Sequence, residues 1–314
     1  MAEPLDFGSE LCRRLLHERG PFDLVLNFAA IKHVRSEKDV CSVLQMLDTN
    51  VVKVSRLLQW LGEMQRDFAF FSVSTDKAAN PVNVMGASKR AMEQVMFSAS
   101  GRPGGRGRVT SARFANVAFS DGSLLFGWTH RFAKRQPIAC PEGARRYFIS
   151  SEEAGHICLL ASTVAHDGQV VVPDLDPERD LIELAVVARR FIDHLGFRPK
   201  EYRSEDEARA SVTRDMARGE YPLLLTALDT DGEKPFEEFV SEGELEVSIG
   251  LPHLKAVVPP RVDEGPLRSL VESIVTALSD ARTPITKEEI IAAIGDVLPE
   301  FQHAQTGLSL DDRF

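Results

Sequence analysis

The chain has 314 residues, 43% hydrophobic and 27% charged, with a formal net charge of −10 at pH 7. That length can bury one large core, or a core and a smaller lobe. The acidic balance weighs against non-specific nucleic-acid binding, which needs a basic face, and no apolar run approaches the roughly 20 residues that span a bilayer. Cys12, Cys41, Cys140 and Cys158 form no C-x-x-C pair, so buried free thiols in a reducing compartment are expected. Glu3 and Asp6 precede any apolar stretch, which is not a signal-peptide pattern, and a cytoplasmic location is expected.

In chain order, residues 5–19 read as a short amphipathic helix stopped by Gly20 and Pro21, and FDLVLNF follows as a continuous apolar strand. Residues 36–60 carry Val40, Val43, Leu44, Leu47, Val51, Val54 and Leu58 at helical spacing. The run 68–73 reads as a buried strand, 84–100 as a helix, and VTSARFANV, after a Gly/Pro/Arg loop, as a third strand. Strand–helix alternation without short hairpins indicates a parallel sheet covered on both faces. Beyond about residue 120 the pattern changes. Helices are expected over 123–134, 151–162, 180–195, 266–281 and 286–294, the last capped by Thr286 with Glu289 three residues on. Short strands are expected at 169–172 and 221–226, a charged loop over 201–220, an acidic stretch over 233–246, and a frayed tail from His303.

The stretch FSVSTDKAANPVNVMGASKR, 71–90, carries the most chemistry. Asp76 and Lys77 follow the second strand directly, and loops at the carboxyl ends of parallel strands are where open α/β sheets do chemistry. Met85 and Lys89, four apart, share one helical face. An acid beside an amine suits paired proton transfer if each titrates nearer neutrality than its usual value of about 3.9 or about 10.4. Shared burial moves both that way, and mutual ion pairing opposes it.

This stretch resembles the active-site segment of nucleotide-sugar 4,6-dehydratases in the polysaccharide-biosynthesis (CapD-like) branch of the extended short-chain dehydrogenase/reductases. NFAAIKHVRSEKD (27–39), DTNVV (48–52), RFANVAFSDGS (113–123), ARRYFISSEEAGHICLLA (144–161) and LDTDGEKPFEEF (228–239) resemble further motifs of that family in the same order. The resemblance implies a Rossmann-like doubly wound parallel sheet, N-terminally incomplete, over 1–120. It also implies a smaller α/β substrate-binding lobe over 121–314, with some elements returning to the sheet. It implies NAD as cofactor, a UDP-sugar as substrate, no metal, and a homodimer or larger assembled through the 36–60 and 84–100 helices.

By the same resemblance Asp76 is the acid that helps water leave C6, Lys77 the base at C5, and Thr75 a hydroxyl for the substrate O4. Lys89, Asn50, Ala29 and Ala30 lie where the family holds the cofactor. Lys32, His33, Asn116 and Arg146 lie where it holds the substrate, while Arg113 reads as an ion-pair partner within the fold. Asp231, Glu233 and Lys234 belong to a family signature without an assigned chemical role. Two departures stand out. No glycine-rich turn of the G-x-x-G-x-x-G kind precedes Phe22, and the cluster 101–107 follows a helix. Met85 stands where most of the superfamily has a tyrosine, and a thioether cannot exchange a proton, so Lys89, Asp76 or a water is left to deprotonate the sugar hydroxyl. Two further readings stay open: a truncated or degenerate member that only binds a sugar nucleotide or a partner subunit, and a dehydratase that also epimerises C5.

Overall fold

The computed structural model describes residues 3–32, 37, 39–64, 66–99, 107–228, 234–280, 282 and 284–303. Helix α1 is Glu10–Arg19; it starts later than expected because Ser9 caps it, accepting from the Cys12 amide. Strand β1 (Leu24–Asn27) follows. The helix expected over 36–60 is divided into α2 (Val40–Leu47), a π-helical turn over Asp48–Val52, and α3 (Lys53–Glu63). Its apolar spacing reads straight through, because one wider turn leaves the neighbouring buried residues facing inward. Then come β2 (Phe68–Val73), α4 (Val84–Ala99) and β3 (Gly107–Ala112).

β1, β2 and β3 pair in parallel in that order, and the strand Gln169–Pro173 joins β3 in parallel. Leu254–Val258 and then Leu245–Ser248 add antiparallel strands beyond it, giving a six-stranded sheet with β1 at one edge. Phe70 and Phe71 point to opposite faces of β2, and both are fully buried. That double burial is why the strand reads as an unbroken apolar run. The expected strand VTSARFANV stops at Ala112, and only Asn116–Val117 resumes pairing, with Phe148–Ile149.

A second, three-stranded parallel sheet is made of Arg198–Tyr202, Glu220–Thr226 and Ile138–Pro141. The expected charged loop over 201–220 is instead the end of the first of these strands and a helix, Glu205–Met216. Ser204 caps that helix, and three acidic residues occupy its first turn, where the helix dipole favours them. Its buried stripe is Ala208, Ser211, Val212 and Asp215, too small and polar to register as an apolar period. The helix expected from residue 180 begins only at Leu184.

Near the C-terminus, Glu264–Ser279 and Lys287–Val297 are helical, the second with the expected Thr286–Glu289 capping box. Leu267, Leu270, Ile290 and Ile294 pack on Val51, Met85 and their neighbours in α2 and α4. The apolar face expected to meet a second copy is therefore covered by helices of the same chain.

Candidate active site

β2 ends at Val73, and after Ser74 and Thr75 a 3-10 turn over Asp76–Ala78 begins. Three donors converge on one oxygen, Asp76 Oδ1: the Thr75 hydroxyl at 2.8 Å, the Lys77 amide at 2.9 Å and the Lys77 ammonium at 3.1 Å. Asp76 is only 3% exposed. The structure thus brings Thr75, Asp76 and Lys77 together at a strand end, with a hydrogen bond along which a proton can pass between acid and amine.

A further carboxylate, missed from the sequence, stands beside them. Glu237 Oε1 lies 3.8 Å from Lys77 Nζ, and Glu237 is buried. Its segment is strapped over the loop. Lys234 donates to the Asn80 carbonyl, Asn80 donates to Glu238 at 2.7 Å, and the Pro235 carbonyl accepts from the Arg145 amide at 2.7 Å. Burial pushes the Lys77 ammonium down and Arg146 adds to that push, yet the Asp76 and Glu237 carboxylates outweigh both and hold it above its ordinary value. Shared burial therefore does not bring this amine toward neutrality; ion pairing wins. Asp231 and Glu233 lie outside the described residues.

Helix α4 forms the other wall. Asn83 accepts from the Gly86 amide at 2.8 Å at its start. A Cβ on Gly86 would lie 2.4 Å from the Lys77 carbonyl oxygen, so a glycine is what lets the helix lean on the loop. Lys89 is 3% exposed and donates to the Val73 carbonyl at 2.8 Å. Burial lowers it to about 8, against a smaller upward pull from Glu93. Asn50, fully buried in the π-helical turn, accepts from the Ile31 amide and donates to the Ile31 carbonyl, each at 2.9 Å. It also donates to Ser88 Oγ at 2.9 Å, tying the loop after β1 to α4 one residue before Lys89. Met85 is 3% exposed within the apolar cluster shared with the C-terminal helices, so its side chain is core.

The remaining expected residues are more scattered. Ala29 is exposed and Ala30 half-buried just past β1, where Ala29 donates to Asn27 Oδ1 at 3.2 Å. Lys32 is exposed, and His33 lies outside the described residues, as do 101–106 of the glycine cluster. Asn116 turns its amide to the Tyr147 carbonyl at 3.3 Å, and Arg146 donates to the Arg145 and Pro235 carbonyls. Arg113 is a fully buried ion-pair partner of Glu93 and Glu244, as its expected role within the fold requires. The Lys89–Asn50 wall and the small residues beyond β1 fit the nicotinamide-ribose end of a dinucleotide. No glycine-rich turn after a strand occurs among the described residues to cradle a pyrophosphate.

The family model described as polysaccharide biosynthesis protein matches residues 7–258. An uncharacterized membrane protein of Methanocaldococcus jannaschii is 32% identical over 57% of this chain and 54% of its own length. The inverting UDP-N-acetylglucosamine 4,6-dehydratase of Campylobacter jejuni is 28% identical, again over 57% of this chain and 54% of its own length. The chain thus spans about half the length of these relatives. Among the described residues no helix is long and apolar enough to cross a membrane. DesIV, a dTDP-glucose 4,6-dehydratase of Streptomyces venezuelae solved with NAD bound, superposes with a TM-score of 0.57 at 16% identity, covering 87% of this chain and 78% of DesIV. That likeness establishes the fold as a Rossmann-type α/β sheet, as expected from the sequence.

Proposed function

The chain belongs to the polysaccharide biosynthesis protein family, and on that premise we propose that it takes part in the NAD-dependent 4,6-dehydration of a UDP-N-acetylhexosamine, with UDP-N-acetylglucosamine as the first candidate. The observation that carries the reading is the Thr75–Asp76–Lys77 cluster at the end of β2, in which the half-buried hydroxyl and ammonium both donate to the buried Asp76 carboxylate. The Campylobacter relative supplies the substrate class.

Each residue has a task in this reading. The Thr75 hydroxyl holds the sugar oxygen at C4. The proton on Lys77 Nζ passes along the 3.1 Å bond to Asp76 Oδ1, leaving a neutral amine and a carboxylic acid at unchanged total charge. Lys77 then removes the proton at C5 while Asp76 delivers its own to the departing C6 hydroxyl. Lys89 holds the ribose side of NAD, which when bound would accept hydride from C4, the C4 hydroxyl proton leaving to water, and return it to C6; Asn50 fixes the loop after β1 against α4 beside it. Asn116 and Arg146 serve the substrate, Arg146 as a charge beside its diphosphate.

The test is proton NMR of UDP-N-acetylglucosamine incubated with NAD and the protein in deuterated buffer. A 4-keto-6-deoxy product labelled at C5 is expected. Asp76→Asn and Lys77→Met should each lower turnover by about 100-fold or more, the usual weight of a positioned acid or base. Wild-type protein that makes no product from any UDP-hexosamine would end the reading. The inverting relative favours inversion at C5 in the same reaction, which the configuration of that product decides.

A further inference from the structure

The acidic stretch over 233–246 has no chemical role in that reading, yet it carries a buried carboxylate into the site. We propose that Glu237 is a positioning residue for the Asp76–Lys77 pair: it holds the Lys77 ammonium in place and sets the pH at which that amine loses its proton. Its catalytic meaning rests on the dehydratase reading; its geometry does not.

A carboxylate that is 5% exposed must be compensated by charge or hydrogen bonds. Glu237 faces two cations, Lys77 at 3.8 Å and Lys234 at 4.0 Å, both at ion-pair rather than hydrogen-bond distance. Its influence on Lys77 is therefore exerted by charge. The backbone that carries it is tied at several points to the elements around the site. Lys234 holds Asn80, Glu238 accepts from Asn80, Pro235 accepts from Arg145 and Arg146, and the Phe239 carbonyl accepts from Arg113. The carboxylate is thus delivered to a defined place by a segment far along the chain.

The charges around Lys77 make the consequence explicit. Asp76 and Glu237 face it as anions, Arg146 acts on it as a cation, and Lys234 stands behind Glu237. With Lys77 charged, Asp76, Lys77 and Glu237 together carry −1. When the proton crosses from Nζ to Oδ1 the Asp76–Lys77 bond is neutral at both ends, the total is still −1, and all of it resides on Glu237. Glu237 consequently opposes the transfer, and it sets how far the resting site favours the ammonium over the free amine. An opposite charge within about 4–6 Å typically moves a pKa by about 1–3 units, and Lys234 screens part of this one.

The experiment follows the side chain itself. The 314-residue protein is labelled with ¹³C at lysine Cε, the Lys77 signal is identified by its loss in Lys77→Arg, and its shift is followed against pH. Neutralising the carboxylate in Glu237→Gln should lower the Lys77 midpoint by about one pH unit. Glu237→Asp, which keeps the charge but withdraws it, should lower the midpoint by less. An unchanged or raised midpoint in a folded Glu237→Gln protein overturns the proposal. If that variant fails to fold, an unchanged midpoint in Glu237→Asp overturns it instead. Because the titration needs no turnover, inactive wild-type protein would remove the dehydratase reading alone. Active wild-type protein with an unmoved Lys77 midpoint would remove this proposal alone.

Discussion

Lys89 is the residue whose environment and expected task pull hardest against each other. Its ammonium is buried with one carbonyl partner, and burial lowers it to about 8 from an ordinary 10.5. A lysine depressed in the fold is disfavoured there as a cation. Between about 8 and 10.5 the unfolded chain holds the proton that the folded chain has lost, so stability rises with pH across that window. The rise should be on the order of 3 kcal/mol by urea unfolding, and Lys89→Met should abolish it. The same variant is expected to unfold no more easily at pH 7, while its NAD affinity by calorimetry falls about tenfold or more. A stabilised protein with unchanged affinity would show Lys89 to be core only. Lys89 was legible because a helix places residues four apart on one face, and Asp76 and Lys77 because they are neighbours in the chain. Glu237 was not, since only tertiary folding brings it to Lys77.

The elements behind the site are joined by a buried charge cluster that no spacing rule announces. Glu93 on α4 accepts from Ser74 at 2.6 Å and from Arg113 at 2.7 and 2.9 Å, and Arg113 also grips Glu244 through two bonds of 2.7 Å. Arg90 reaches Glu244 as well and bonds Glu300 at 3.0 Å. The loop after β2, helix α4, the end of β3 and the segment after 239 are thus fixed to one another. Burial would raise Glu244, but the Arg113 hydrogen bonds and the Arg113 and Arg90 charges lower it to about 2 from 4.5. A depressed carboxylate contributes stability above its unfolded value that is lost as pH falls through the folded one. Unfolding free energy should therefore drop by roughly 3 kcal/mol between about pH 4.5 and 2 on this account. Glu244→Gln should cost about 3–5 kcal/mol at pH 7, because it leaves buried guanidinium charge uncompensated, and should flatten that acid limb. Sequence patterns marked where most of these elements lie, since apolar strands and capped amphipathic helices declare themselves. They passed over the π-helical turn that positions Asn50 and the helix Glu205–Met216, where the buried stripe is small and polar.

At the scale of the whole molecule, the match to the family model ends at residue 258, and the chain beyond it forms a helical pair laid across α2 and α4. Its contacts are of two kinds. Leu270, Ile274, Ile290 and Ile294 are almost fully buried in the apolar seam. Around it, the Gln302 amide donates to the Pro81 carbonyl, Lys287 to the Glu37 carbonyl, and Arg90 to Glu300. The pair is therefore integral to the wall that holds Met85 and Lys89. It also removes from solvent a surface that would otherwise be a large contiguous apolar patch, the kind that drives association. The 314-residue chain is expected to keep this face within one copy, with no association through it in sedimentation equilibrium. A chain ending at Val262 bares Val43, Leu47, Val51 and Val84. It should self-associate in a concentration-dependent way, and its unfolding midpoint should fall. A truncated chain that is folded and sediments as a single copy would mean that the C-terminal helices cover nothing that association requires.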